Sequence, residues 1–518
     1  MRKPHILSLL LFCVPLLTLT SDSYSVMVGE NLDIGGYLQN ETAFSTNEKG
    51  DALWCENKLL VYGSYNFTPQ IRTFFRLQGY YDAINDVQSQ DYEDISDERY
   101  INQQTYFRQN LWQPKTYTTS EYLKELFIDI DLDAFDLRIG KQQFAWGVTD
   151  GLKVLDIIYP QDFRKFNQED FEESRIPLWS LKFDYCVGDS GEIQLVYLPN
   201  FEPAFFPGGG HPFATWDKEF FDILDIYGAA GANFNVKYDE PDDSFDNGEY
   251  GAMWKQNLGN WSYSLNFLSH FTDVAGAYQT NMTGNIIPGA GPGGSDLFVP
   301  DFIELTLKNN RMYSFGGSFD STLSHLPVIG TIVLRAEAIY NVNNIMINIP
   351  DAQAGFVAPG VFGTNFMPVP VTGPNGDVVW GANVPFPETV EIDDWTYAIG
   401  ADKSIFTDYF VSMQFIQHHL MDYQSTFVNP VTGKHADQND YWGTLLIQKD
   451  WLNEKLWTKV LNVVGRHGDF WIQPQVSYLF YEKLKVTLQM NYYGGTEDYL
   501  WSRFDNSDNI ALRFTYQF

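Results

Sequence analysis

The amino-acid sequence predicts an all-β fold: a transmembrane antiparallel β-barrel of 16–18 strands, with long extracellular loops and one inward-folded constriction loop. Three observations carry that expectation. Apolar and polar residues alternate with a period of two along much of the chain, and short turns alternate with long irregular stretches. An aromatic content of 16% coexists with a mean hydropathy of only −0.25. A chain this rich in Trp, Tyr and Phe lacks the composition of a disordered one, and its hydrophobicity lies in a period rather than in runs.

The alternation is clearest at the C-terminus. Ile510, Leu512, Phe514, Tyr516 and Phe518 alternate with Ala511, Arg513, Thr515 and Gln517, the pattern of a strand with one apolar and one wet face. The same rhythm runs through Leu484 to Tyr492, Ile71 to Tyr81, Leu126 to Leu132 and Ile332 to Ala338. Charges recur on the second face, as Arg72 and Arg76, Asp129 and Asp131, and Arg335 and Glu337. That face sees water, and in a barrel it lines the lumen. Outward apolar side chains are favourable only against lipid, and strand-end aromatics such as Tyr80, Tyr81, Tyr492 and Tyr493 suit the boundary between membrane and water.

Short links at 67–69, 134–135, 188–191, 259–260 and 482–483 alternate with long stretches at 85–119, 146–176, 200–246, 273–300, 343–394, 421–439 and 496–506. Eighteen strands fit this layout, and an even number returns both termini to the periplasm. They include strands near 57–67, 328–342 and 395–405; Pro474, which cannot donate to a ladder, marks a bulge in another. The first residues read as an address. Arg2 and Lys3 precede an apolar stretch from Ile6 to Leu19, and Ser23-Tyr24-Ser25 forms a small-x-small cleavage pattern. Residues 1–25 are thus expected to be a secretory signal and 26–518 the barrel, with 146–176 the constriction loop and 343–394 a long extracellular loop.

Composition excludes several classes. With 66 acidic against 33 basic residues the formal charge is −33, which argues against a nucleic-acid surface and against electrostatic docking on an anionic bilayer. Three cysteines without C-x-x-C spacing form no disulfide framework, and Cys55 and Cys186 fall at opposite ends of the barrel, too far apart to bridge. Neither H-E-x-x-H nor G-x-S-x-G occurs, and His418 and His419 lie on opposite faces of one strand, so the chain is not expected to be an enzyme.

The densest chemistry lies at 138–179: Arg138-Ile139-Gly140-Lys141-Gln142, Trp146-Gly147, Asp150-Gly151-Leu152, Pro160-Gln161-Asp162 and Ser174-Arg175-Ile176-Pro177. These motifs resemble a family of Gram-negative outer-membrane barrels known only as a domain of unknown function; Pro199 to Pro203 and Leu334 to Glu337 look like further family positions. The Arg-x-Gly-x-Gln and Trp-Gly stretch is also distantly similar to the alginate-export porins, which line their lumen with Arg; the twofold acidic excess departs from that pattern. The resemblance implies a porin-like protein of the Gram-negative outer membrane, working beside a periplasmic lipid-carrier or efflux partner. It also implies contact with outer-membrane lipid and lipopolysaccharide, and the strand ending in Phe518 looks like a signal for the barrel-assembly machinery.

On the residues themselves, 146–176 reads as the constriction. Arg138 and Gln142 share the face opposite Leu137 and Ile139 and should point into the lumen. Asp150, Asp156, Asp162, Arg164, Glu172 and Arg175 are candidates for an ion-pair network pinning the loop to the wall, and Arg335 and Glu337 share a lumenal face from which they could meet it. Arg72, Arg76, Asp129 and Asp131 are further lumen-facing candidates. No cofactor is expected; Asp91, Glu93, Asp94 and Asp97 in one acidic loop, and Asp239, Glu240, Asp242, Asp243 and Asp246 in another that does not match the EF-hand template, are candidates for structural Ca²⁺. The function expected is a porin-like channel for a small or hydrophobic solute. The alternatives are a surface receptor or adhesin anchored by the barrel, and a barrel-embedded lipid-modifying enzyme.

Overall fold

The computed structural model describes residues 25–47, 51–84, 122–149, 151–205, 212–213, 233–239, 241–242, 244–288, 297–326, 330–348, 368–372, 378–382, 388–406, 408–429, 435–496 and 499–518. Eighteen strands build the wall: β1 Leu32–Ser45, β2 Ala52–Thr68, β3 Ile71–Asp82, β4 Leu123–Leu132, β5 Phe135–Gln142, β6 Leu178–Val187, β7 Gly191–Leu198, β8 Glu249–Leu258, β9 Trp261–Phe271, β10 Arg311–Leu326, β11 Gly330–Asn348, β12 Glu388–Ile405, β13 Tyr409–Leu420, β14 Asn439–Trp451, β15 Leu456–Gly465, β16 Phe470–Phe480, β17 Leu484–Gly494 and β18 Asn509–Gln517. Each pairs antiparallel with the next, and β18 pairs with β1 from Tyr37↔Gln517 to Ser45↔Asn509, so the sheet closes on itself and has no free edge.

The period of two decides which side chains meet which solvent. Leu59, Leu77, Leu126, Ile128, Leu195, Leu265, Ile399, Met413 and Leu488 are all exposed on the outer surface. Their neighbours on the other face, among them Glu56, Gln78, Glu125, Asn266, Gln414 and Gln489, are buried. Such an inverted arrangement, greasy outside and polar inside, is favourable only in a lipid environment. Aromatic side chains mark two levels: Tyr441 and Trp451 stand ten residues apart on the outer face of β14. At ~3.3 Å per residue and a tilt of ~45° they are roughly 23 Å apart in height, close to the ~25 Å apolar band of such barrels.

All eight links at one end are short, and the long connections lie at the other. The expected strand layout holds with longer walls in places: β2 starts at Ala52, β11 continues to Asn348 and β12 begins at Glu388, so the 343–394 connection is shorter than expected at both ends. Pro474 makes no bulge. The register between β16 and β17 is the same on either side of it, from Ile472↔Tyr492 to Gln475↔Gln489, and the ladder only misses its pairs there. The stretches 200–246 and 273–300 are not irregular throughout. Gly276–Ile287 pairs antiparallel with Leu297–Lys308, and Asn233–Asp239 joins the latter in parallel, a second sheet at the long-loop end. Its two register shifts, at Gln279/Asn281 and Thr283/Gly284, break the alternation that would have revealed it.

Candidate functional site: the inward segment

β5 and β6 are neighbours in the wall, and the chain between them turns into the lumen above Gln142. The segment is held first at the wall where it starts. Trp146 Nε1 donates to Gln194 Oε1 at 2.7 Å, and Ile158, Tyr159 and Ile176 pack on Leu178, Val196, Leu198, Phe205 and Leu268. Trp146 fits because β8 is thinned at Gly251, where a methyl group would lie 2.6 Å from the indole.

From there residues 148–155 cross to β10–β13. Glu337, 2% exposed, gathers backbone donors: Thr149 N–H at 2.8 Å, Leu155 N–H at 3.1 Å and Val148 N–H, with the Thr149 hydroxyl at 3.2 Å. Arg335 donates to Val148 O at 2.9 Å and pairs with Asp402 at 2.9 Å. Gly151 N–H donates to Gln414 Oε1 at 3.2 Å. Leu155 is fully buried against Ile339, Ala398 and Ile416 and presses on Gly316, where an added methyl would lie 2.4 Å from its Cδ2.

Residues 163–173 then meet the rest of the wall. Phe166 enters an aromatic cluster with Phe213, Trp501 and Phe504. Gln168 is held by β16 and β17: its side chain donates to Tyr493 Oη at 3.0 Å and accepts from Asn491 at 2.7 Å, while its carbonyl accepts from Gln473 and Gln489. Lys165, 6% exposed, sits between Glu41 of β1 (2.9 Å) and Glu56 of β2, with Glu169 at 3.3 Å; Arg513 of β18 pairs with Glu41 from the other side. Burial alone would lower the affinity of Lys165 for its proton, but Glu41 and Glu56 outweigh it and hold the ammonium charged well above its ordinary range. Glu173 meets Lys58 at 3.0 Å, and that ammonium holds the Glu173 carboxyl down at about 2. Lys153, tucked between Asp156 and Ser174, is pushed down to about 8 by burial.

Together these contacts take the segment around the circumference. Each of the eighteen strands presents a buried inward side chain within the barrel, including Glu41 on β1, Gln142 on β5, Ser314 on β10, Gln414 on β13 and Ala511 on β18. A lumen of this many strands is wide enough for an aqueous channel when empty. Here the segment packs on the lumenal face on opposite sides of the barrel, and it is called the plug below.

A family model described as a protein of unknown function, DUF1302, matches residues 43–518. The chain belongs to that family. No curated protein matches the sequence. Among solved structures, OccAB1 of Acinetobacter baumannii is similar at 10% identity with a TM-score of 0.48, over 94% of this chain and 95% of that one. OccK11 of Pseudomonas aeruginosa is similar at 8% identity with a TM-score of 0.44, over 94% and 95%. The outer membrane channel DcaP of Acinetobacter baumannii is similar at 8% identity with a TM-score of 0.39, over 95% and 99%.

The residues that carry the DUF1302 resemblance in this chain fall mainly at the entry and exit of the plug, and the structure redistributes their roles. Arg138 faces the lumen but lies outside the plug's network: it pairs with Asp129 at 2.5 Å, beside Arg72, and covers the Phe127 ring, all on the wall towards the short-turn end. Asp131 lies on the same side, exposed and opposite Asp136. Gln142 is fully buried and donates to Ser180 O at 3.0 Å. Arg175 pairs with Asp156 at 2.8 Å and Arg164 with Asp162 at 2.7 Å, both within the segment, and the Arg164 guanidinium also lies over the ring of Tyr80 of β3 at 4.8 Å. Glu172 does reach the wall, at Arg76 (2.9 Å), which also meets Glu125. Arg335 and Glu337 do not pair with each other; they hold the plug by its backbone. Asp150 and the Ca²⁺ candidates Asp91, Glu93, Asp94, Asp97, Glu240 and Asp243 lie outside the described residues. Among the described residues, no group of three or more Asp, Glu, His or Cys is placed to hold a metal, and Asp239, Asp242 and Asp246 are not gathered into one. Sequence reasoning missed Lys165, Gln168 and Glu173 and their wall partners Glu41, Glu56 and Lys58. The only available signal was a Lys and an Arg flanked by two Phe at 163–166.

Proposed function

We propose that the protein is a channel of the Gram-negative outer membrane whose lumen is closed by residues 146–176, and that it passes a small or hydrophobic solute when this plug yields. The observation that carries the reading is a closed 18-stranded wall, apolar outside, around a polar lumen that one segment of the chain crosses, held from opposite sides. A barrel that served only as an anchor has no use for a lumenal plug held from both sides by separate polar hubs. The apolar half of the plug, around Trp146, Ile158, Tyr159 and Ile176, supports a solute with hydrophobic surface, since a displaced plug uncovers apolar wall there. Lipid and lipopolysaccharide around the belt, assembly through the Phe518 strand, and a periplasmic carrier or efflux partner fit the same reading. A second reading, a surface receptor, is favoured by the extra sheet of Gly276–Ile287 and Leu297–Lys308 at the long-loop end. Planar-bilayer recordings separate the two. Replacing 146–176 by a short Gly/Ser turn between β5 and β6 should convert a rarely open protein into one with steady, large conductance. A folded variant without any current would overturn the channel reading.

A further inference from the structure

We propose that the lumenal face of β15–β18, between the plug and the short-turn end, is a binding site for an amphipathic anion, a solute that joins an apolar body to a carboxylate. The inference rests on the channel reading above and names the class of solute it carries. In a chain with 66 acidic and 33 basic residues, the described lumen-facing positions of these four adjacent strands hold Lys459, Lys485 and Arg513 and not one Asp or Glu. Their facing follows from the period of two. Val463, Ser477, Thr487 and Ala511 are buried inside, whereas Val460, Val476 and Leu488 are exposed outside. On β4 and β5, by contrast, the same face carries Asp129, Asp131 and Asp136.

The three cations are neutralised to different degrees. Arg513 pairs with Glu41 of β1. Lys459 reaches only Asp170 of the plug, 3.7 Å away, a side chain that is 76% exposed. Lys485 meets no carboxylate among the described residues; its ammonium lies 5.3 Å from the centroid of the Trp457 ring. The register explains how these side chains gather. Trp457, Ser477, Thr487 and Arg513 form one row across the four strands, with Lys459 two residues along from Trp457 and Lys485 two residues from Thr487. Trp457 therefore extends across β16 towards Lys485, past the Ser477 and Thr487 hydroxyls, which bond each other at 2.8 Å.

Cations closer than the ~10 Å screening length repel one another, and the low-dielectric wall behind them concentrates their field in the lumen. A carboxylate arriving at Lys485 relieves that repulsion and forms a charge-assisted hydrogen bond. The apolar body of the same solute covers the face of Trp457, where a flat ring or chain gains contact area. Each half alone gains little: a bare carboxylate makes one solvated ion pair, and an uncharged analogue leaves the ammonium unpaired.

Calorimetric titration of the protein in a non-ionic detergent tests both halves, with phenylacetate, phenylacetamide and acetate as probes. Phenylacetate should bind, and the other two should bind about tenfold more weakly or less. Lys485→Gln and Trp457→Ala should each weaken phenylacetate about tenfold. Lys485→Arg should keep most of the affinity, and Lys255→Gln, which alters a lumenal lysine of β8 opposite Glu192, should leave it unchanged. No binding of phenylacetate to the folded protein, equal binding of acid and amide, or binding that survives Lys485→Gln would each overturn the site. Failure of the channel reading is seen separately, as phenylacetate bound in this manner while the variant with its plug replaced carries no current.

Discussion

The plug is held in two different ways on two sides of the barrel. Towards β1, β2 and β18 the grip is made of charges: Lys165 between Glu41 and Glu56, with Glu173 on Lys58. Towards β11–β13 one carboxylate, Glu337, collects backbone donors, and Leu155 fills the space beside it. A carboxylate that binds main-chain N–H groups fixes the path of the chain but is indifferent to side-chain identity. An ion pair depends on both partners and on their protonation. The charged side is therefore the one expected to weaken with salt or acid, and the Glu337 side the one expected to hold.

The largest effect is expected from Lys165→Met. It leaves Glu41 and Glu56 facing each other in a buried site, and loss of one partner from a buried ionic cluster costs about 3–5 kcal/mol. Frequent long openings should appear in bilayer recordings, with the thermal transition lowered. Adding Glu56→Gln to the same chain should restore much of the closed state, since Glu41 keeps Arg513 and the penalty lies in the unpaired Glu56; recordings of the double variant that match those of Lys165→Met would refute the ionic side as the releasable grip.

That grip shows where the sequence was legible. The wall follows from a two-residue period that every strand repeats, because lipid on one side and water on the other act on each residue separately. Outward Leu126 and Ile128 beside inward Glu125 and Asp129 can be read without knowing any partner. Lys165 cannot, because its partners Glu41 and Glu56 lie 124 and 109 residues away and its neighbours Arg164 and Phe166 give no period. The motifs set 146–176 apart from the wall strands. Its seats on the wall could not be read, since they depend on Gly251 and Gly316 making room for Trp146 and Leu155, side chains distant in sequence.

A smaller effect is expected from Glu337→Gln. The amide keeps one acceptor oxygen but turns an NH₂ towards the backbone donors, and each buried donor left unpaired costs about 1–3 kcal/mol. Openings should be briefer than in Lys165→Met and independent of pH between 5 and 7, above the range in which Glu173 titrates. Acid should act on the other side. The Glu173 carboxyl, held at about 2 against an ordinary 4.5 by Lys58, contributes its stabilisation fully above the ordinary value and loses it as pH falls towards 2. Open probability in the unaltered protein should rise only in that window, and Glu173→Gln should abolish the rise. An acid response that survives Glu173→Gln would move the sensitive group elsewhere.

The smallest effect belongs to Arg138, which touches neither grip. With Asp129 and Arg72 it lines the wall towards the short-turn end, so Arg138→Ala should leave the frequency of opening unchanged. Its removal makes the wall one charge more negative where an ion passes, and the field of a charged constriction acts on permeating ions at close range. In the loop-replaced, permanently conducting variant, the reversal potential under a salt gradient should therefore shift by a few millivolts towards cation preference. The direction is fixed by the sign of the charge removed. A shift towards anions, or an increase in opening with the plug intact, would mean that Arg138 holds the plug after all and that the division between grip and lining is drawn in the wrong place.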